Sequence, residues 1–260
     1  MYIAAHKKFA APDIEGYVPL EVGAALRDEH FCYIRDDEGE NISAKNPFFC
    51  ELTAYYWIWK NSDADIVGLS HYRRYFSKYR INPDSQYYLQ PDEIEQLMAQ
   101  YDVILPEHFY WRKHTVKSGY YVGAGVDPDL DTIGKIIQDL YPAYSQTYRD
   151  ILTHHEASYC NMFVMRKTDF DAYCKWLFDI LFEAERRIDI SDYTPAEKRI
   201  FGYMSEILLN VWVEQNKKRV CYKPMVVNAP FGKKKKILRI CEKMGIWKAT
   251  KAVYCVDSKF

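Results

Sequence analysis

The chain reads as an α/β protein built on an open, mostly parallel sheet. Three observations predict this: strands alternate with helices along the sequence, short apolar strands end in polar clusters, and apolar residues suffice for a sizeable core. Length is 260 residues, with 48% apolar and 27% charged side chains. That balance excludes disorder, and 11 Gly and 11 Pro exclude repetitive or collagen-like architectures. The first predicted strand is Tyr2 to Ala5, closed by His6-Lys7-Lys8. A loop-rich stretch through Arg35-Asp36-Asp37-Glu38-Gly39-Glu40-Asn41 leads to Asn46-Pro47 and a helix from Phe48 to Lys60. Asp65 to Ser70 forms a second strand, ending in His71-Tyr72-Arg73-Arg74. Pro91-Asp92-Glu93 opens a helix to Tyr101, with Pro in the first turn and acids beside the helix N-terminus. Asp102 to Leu105 is a third strand.

Pro106 to Asp129 shows no clear period and reads as loop, followed by helical segments to His155. Ser158 to Met165 reads as a strand and Phe170 to Arg187 as a long amphipathic helix. Thr194-Pro195-Ala196-Glu197 has capping-box spacing and starts a helix towards Asn216. Val220 to Val227 is the last strand. One domain is expected over 1–231, with 232–260 as a separate basic, amphipathic segment.

Net charge is −1, but the segment from Gly232 carries nine Lys or Arg against two Asp or Glu. The body is therefore acidic, which argues against nucleic acid as a partner. Lys233 to Lys236, followed by Ile237, Leu238, Ile240, Met244, Ile246 and Trp247, suits an anionic membrane surface. An ordinary terminal helix is the alternative. Seven cysteines lack any C-x-x-C pair and lie mostly in apolar runs, which suits a reducing compartment. No signal peptide and no apolar run near the ~18 residues of a membrane span are visible. The expected location is cytoplasmic, with peripheral contact to the inner face of the plasma membrane.

In open α/β sheets, ligands bind at the C-terminal ends of strands. His6, Lys7, Arg73 and Arg74 stand at two such ends, and cations there suit a polyanionic small ligand. Asn41, Lys45 and Asn46 precede the first helix and extend this candidate surface. Asp36 and Asp37 offer carboxylates to sugar or ribose diols, or form a solvated turn. No phosphate loop and no strand-linked G-x-G-x-x-G is present. Among 23 Tyr and 6 Trp, Trp57 and Trp59 read as core, whereas Tyr120 and Tyr121, with Tyr110 and Trp111, suit an acceptor-stacking surface. His154-His155-Glu156 lacks a matching third metal ligand.

The strings Tyr2-Ile3-Ala4-Ala5-His6-Lys7, Cys50-Glu51-Leu52-Thr53-Ala54 and Gly68-Leu69-Ser70-His71-Tyr72-Arg73-Arg74-Tyr75-Phe76, with Asn161-Met162-Phe163 and Arg199-Ile200-Phe201-Gly202, resemble a bacterial family. It is the capsular and exopolysaccharide glycosyltransferase family long catalogued as a domain of unknown function. The resemblance covers roughly residues 2 to 228. It implies a GT-A-like fold and transfer of a hexose from a UDP-sugar, galactofuranose being the leading donor, to a lipid-linked glycan. It adds Glu51 and His71 to the donor side, and Asn161 and Arg199 to the acceptor side. GT-A enzymes usually end a central strand with Asp-x-Asp holding a divalent metal; here His71-Tyr72-Arg73 stands instead, so Mg or Mn dependence is in doubt. By position in an inverting GT-A enzyme, Glu206 is the expected general base, and a helix-face Glu paired with Arg199 or Lys198 is the alternative. A retaining transferase, a non-catalytic nucleotide- or glycan-binding module and a scaffold subunit remain as rival readings.

Overall fold

The computed structural model describes residues 1–31, 33–123 and 125–228; the basic segment from Gly232 lies outside the described residues. The strands are β1 (Tyr2–Ala5), β2 (Val18–Glu21), β3 (Ile34–Arg35), β4 (Ile66–His71), β5 (Arg74–Phe76), β6 (Val103–Pro106), β7 (Phe109–Tyr110), β8 (Glu156–Ala157), β9 (Phe163–Arg166), β10 (Val220–Lys223) and β11 (Met225–Val227). The helices are α1 (Asn46–Phe49), α2 (Leu52–Asn61), α3 (Pro91–Met98), α4 (Val116–Gly123), α5 (Asp129–Leu140), α6 (Ser145–Thr153), α7 (Lys167–Arg187) and α8 (Ile200–Gln215). The main sheet runs β10-β6-β9-β4-β1-β2-β3, with β5 and β11 appended beside β4. All neighbours along that order are parallel except β9, which is antiparallel to both β4 and β6. The α/β class and the mostly parallel sheet are thus as the sequence predicts.

Alternation along the central strands divides the core. Val67, Leu69, Val103, Leu105, Phe163 and Met165 pack on the face covered by α2, α7 and α8. Ile104, Met162 and Val164 face the other way, with Phe76, Leu89 and Met98 around α3. Such two-sided burial is what a sheet covered by helices on both faces requires. Gly68 lies opposite Val164, and a Cβ there would stand 2.9 Å from the Phe163 carbonyl, so only glycine lets β9 pair this closely. Trp57 is buried, and Trp59 stacks on Phe178 with centroids 5.8 Å apart, in keeping with core roles.

Several expected elements differ. The single helix from Phe48 breaks at Cys50, whose φ is 52°; Asn46 Nδ2 and Thr53 Oγ1 both donate to the Cys50 carbonyl, satisfying it outside a helix ladder. The loop-rich stretch hides β2 and β3, and the expected middle loop contains β7 and α4. Short strands with few alternating residues carry too little pattern to be seen. The strand from Ser158 begins only at Phe163, because Cys160 and Asn161 take φ of 77° and 46°. Pro224 divides the last strand: β10 pairs parallel to β6, then β11 pairs antiparallel to β5. Thr194 and Glu197 do form reciprocal capping contacts at 2.8 and 3.3 Å, but they open a 3₁₀ turn before α8.

Asp36 is fully buried and belongs to the scaffold. It accepts from the Gly23 and Ala24 backbone N–H groups, at 2.9 and 3.0 Å, and from the Ser43 hydroxyl. Asp36→Ala leaves these donors unpaired and is expected to destabilise the fold by ~2–4 kcal/mol in chemical denaturation. An unchanged midpoint would mean that its hydrogen bonds do not hold the loop.

Candidate active site

Parallel pairing sets Ala4 beside His71, so β1 and β4 end next to each other. His6, Lys7 and Arg73 are exposed there. Lys7 Nζ lies 5.3 Å from the Tyr72 ring centroid, and the Arg73 guanidinium 5.0 Å from it, while His6 meets the same ring edge-on at 5.1 Å. Burial and then the charges of Lys7, Arg73, Arg27 and Arg199 hold His6 below the usual histidine range. A cationic rim therefore surrounds the strand ends. Arg27 joins it from the loop after β2, anchored by the Val22 carbonyl at 2.8 Å and by buried Glu21. Nothing in its sequence surroundings marked Arg27.

Behind the rim lies a recess organised by α8. Gly202, Ser205, Glu206 and Asn210 are spaced by three or four residues and so share one helix face. That face grips the chain from Ser158 to Asn161. Asn210 exchanges two hydrogen bonds with the Ser158 backbone, at 2.9 and 2.8 Å. The Cys160 N–H donates to Glu206 Oε1 at 2.7 Å. The Cys160 carbonyl takes a hydrogen bond from His71 Nε2 at 2.6 Å. The backbone of one residue, Cys160, thereby bridges β4 and α8. A Cβ on Gly202 would lie 3.2 Å from the Cys50 side chain, which shows how closely the break between α1 and α2 seats on α8.

Glu206 keeps part of its surface open to solvent although protein surrounds it densely. Burial pushes its carboxyl up to about 8, and Glu51 adds to the rise; the Cys160 N–H, Arg74 and Arg199 oppose it. Neither Arg199 nor Lys198 forms an ion pair with it. Instead Arg199 Nε donates to Cys50 Sγ at 3.2 Å, and its guanidinium lies over the Tyr203 ring. Burial lowers His71 to about 4, with Glu51 raising it and Arg74 lowering it. His71 is therefore neutral near pH 7. Its single proton sits on Nε2 facing the carbonyl, leaving Nδ1 as an acceptor.

Of the expected site residues, His6, Lys7, Glu51, His71, Arg73, Arg74, Asn161, Arg199 and Glu206 gather at the strand ends and the recess. Asn161, however, is 1% exposed with its polar groups engaged, so it cannot contact an acceptor directly. Five expected donor ligands serve the scaffold. Besides Asp36, Asp37 is paired bidentately with Arg35, and Asn41 caps its own turn through Asp37, Gly39 and Ser43. Lys45 pairs with Glu185 on α7, and Asn46 secures the Cys50 break. Tyr120 is buried with its hydroxyl on Asp129, so it presents no stacking face; Tyr121, half-buried, meets the Tyr120 ring in a T-shaped contact. Their helical period was hidden by glycines and neighbouring polar residues. A groove of about 650 Å³ between α4, α5 and α6 is separate from this site.

The donor set does not fit a divalent cation. Strand β4 ends in imidazole and guanidinium groups, the Glu51 and Glu206 carboxylates are engaged by Asn161 and Cys160, and no cluster of three metal-ligating side chains occurs among the described residues.

A family model matches residues 1–217, described as a domain of unknown function, DUF4422. The chain belongs to this family. A solved structure, the apo form of the WbbM bifunctional glycosyltransferase, is similar at 30% identity over 88% of this chain, with a TM-score of 0.82. The fold is GT-A-like. The chain spans 45% of the length of the WbbM chain. No curated protein matches. Among the described residues, no helix is long and apolar enough to cross a membrane.

A carboxyl raised above its unfolded value favours folding only while protonated. Glu206 should cost stability progressively as pH rises from about 4.5 to about 8 and cost most above that. Glu206→Gln removes this cost. In chemical denaturation its unfolding free energy should exceed that of the parent chain by an amount that grows across this window, reaching ~1–3 kcal/mol after allowance for solvent access. A pH-independent difference would contradict the raised carboxyl.

Proposed function

We propose that the chain is a glycosyltransferase that moves a hexose from a UDP-sugar to a lipid-linked glycan in surface polysaccharide synthesis, with inversion. The observation that carries this reading is the adjacency of the exposed cationic rim and the recessed Glu206, at the end of a sheet where such folds bind ligands. Likeness to a bifunctional glycosyltransferase over most of the chain supports it.

In this reading the donor diphosphate lies between the ends of β1 and β4. Lys7 and Arg73 neutralise it, with His6 and Arg27 alongside, and they take up the charge that develops on the leaving UDP. Glu206 accepts the proton of the acceptor hydroxyl as that oxygen attacks the anomeric carbon from the opposite side. A base with a value near 8 combines adequate strength with a usable ionised fraction near neutral pH. His71 Nδ1 is placed to accept from a sugar hydroxyl. Arg199, over Tyr203, borders the same recess and is proposed for the acceptor side. Galactofuranose is the first donor sugar to test. The basic segment from Gly232 would hold the catalyst at an anionic inner membrane face beside its lipid-linked acceptor.

Arg73→Ala should weaken UDP binding roughly tenfold or more in calorimetry, the scale of a hydrogen bond to a charged group. Unchanged affinity would move the diphosphate elsewhere. Glu206→Gln should lower kcat ~10²–10⁴-fold with UDP affinity preserved, and a variant at the parent rate would exclude Glu206 as the base. UDP binding without any transfer or donor hydrolysis by the parent chain would favour a binding module. Deleting residues 233–260 should abolish salt-sensitive sedimentation with anionic liposomes; sedimentation that persists would remove the segment's membrane role.

A further inference from the structure

Glu51 lies just before α2, and its Oε1 accepts a hydrogen bond from Asn161 Nδ2 at 2.8 Å. Asn161 is the hub of the recess. Its Nδ2 also reaches the Gly202 carbonyl at 3.0 Å, its Oδ1 accepts from the Ser205 hydroxyl at 2.9 Å, and its carbonyl accepts from the Tyr55 hydroxyl at 3.1 Å. Gly202 and Ser205 stand on the face of α8 that carries Glu206, and the neighbouring Cys160 N–H binds Glu206 itself. Two carboxylates on different elements are thus fixed relative to each other through one left-handed pair of residues.

We propose that Glu51 is a positioning residue for Glu206: Asn161 holds the Glu51 side chain beside the face of α8 that carries Glu206, so that its charge acts on that acid. The inference rests on the reading of Glu206 as the base. Each acid accepts one N–H, Glu51 from Asn161 and Glu206 from Cys160, so what distinguishes them is burial and charge. Two like charges in a densely packed recess disfavour each other, and the proton goes to Glu206. Arg74 of β5 and Arg199 before α8 also act on Glu206, and both keep their charge at every working pH. The other titratable neighbours are neutral near pH 7: burial lowers His71 and raises Cys50, Tyr55 and Tyr203. Glu51 is the acid whose charge raises Glu206. When a cationic group enters beside it, or when its charge is removed, Glu206 ionises more readily.

The test is the pH dependence of kcat/KM in the full chain. Glu51→Gln keeps an oxygen facing Asn161 Nδ2 and removes the charge. The acid limb of the profile should move to lower pH by roughly one unit. A carboxyl carbon-13 titration of the same protein should show the Glu206 midpoint falling in parallel, a readout that needs no turnover. A variant with reduced activity but an unmoved limb and midpoint overturns the proposal, because a merely structural role predicts that result. Should the Gln variant not fold, Glu51→Asp keeps the charge but shortens the side chain away from Asn161, and a limb at or above the parent position overturns the proposal. A Glu206→Gln enzyme at the parent rate would instead remove the base reading on which the inference stands, so the two failures are distinguishable.

Discussion

The grip of α8 on the chain from Ser158 to Asn161 is the constraint on which the site depends. An ordinary strand through these residues would turn alternate side chains to the two sheet faces and leave its peptide groups to the ladder. Left-handed φ at Cys160 and Asn161 takes them out of the ladder instead. Their peptide groups become free to serve Glu206, His71 and Tyr55. The conformation costs of order 1–3 kcal/mol per residue and persists because surrounding contacts over-determine it. Five hydrogen bonds from Gly202, Ser205, Glu206 and Asn210 do so here. Strand β9 then enters the sheet antiparallel, with its register already decided.

This arrangement explains how Glu206 sits beside cations without an ion pair. A Glu that ion-paired with Arg199 would be a weak base, ionised far below neutral pH. Arg199 is drawn away to Cys50 Sγ and Tyr203, and Arg73 stays out at the rim. Only the diffuse field of the arginines reaches Glu206, against burial and Glu51, and the balance leaves it near 8. Under the proposed function, anion binding at the rim and proton acceptance in the recess are kept apart by this side-chain anchoring.

Much of this was legible in the sequence, and the exceptions have physical causes. Strand ends followed by His6-Lys7 and by His71-Tyr72-Arg73-Arg74 announced the rim, because a parallel sheet must expose its C-terminal ends together. Asp36, Asn41 and Asn46 misled because a polar side chain that caps a turn looks, in sequence, like one that binds a ligand. Glu206 was visible through the pattern of elements around it. The rest of its helix face was present as spacing, at Gly202, Ser205 and Asn210, but a polar stripe in an apolar helix does not say what it grips. The partner is backbone, and backbone groups are the same at every position.

Stability and chemistry also pull against each other at one carboxyl. Folding holds a proton on Glu206 that the unfolded chain would release, so the fold is weakest at that point in the pH range where the carboxyl ionises. The surrounding structure meets this with apolar packing rather than with a counter-ion: Tyr55, Phe163 and Phe170 are fully buried behind the recess, with ring centroids 4.7 to 5.7 Å apart. Such packing is indifferent to pH and contributes where the carboxyl cannot. A counter-ion in the same place would stabilise the fold and bring the carboxyl back down, so an aromatic wall, and not a salt bridge, is what leaves Glu206 raised.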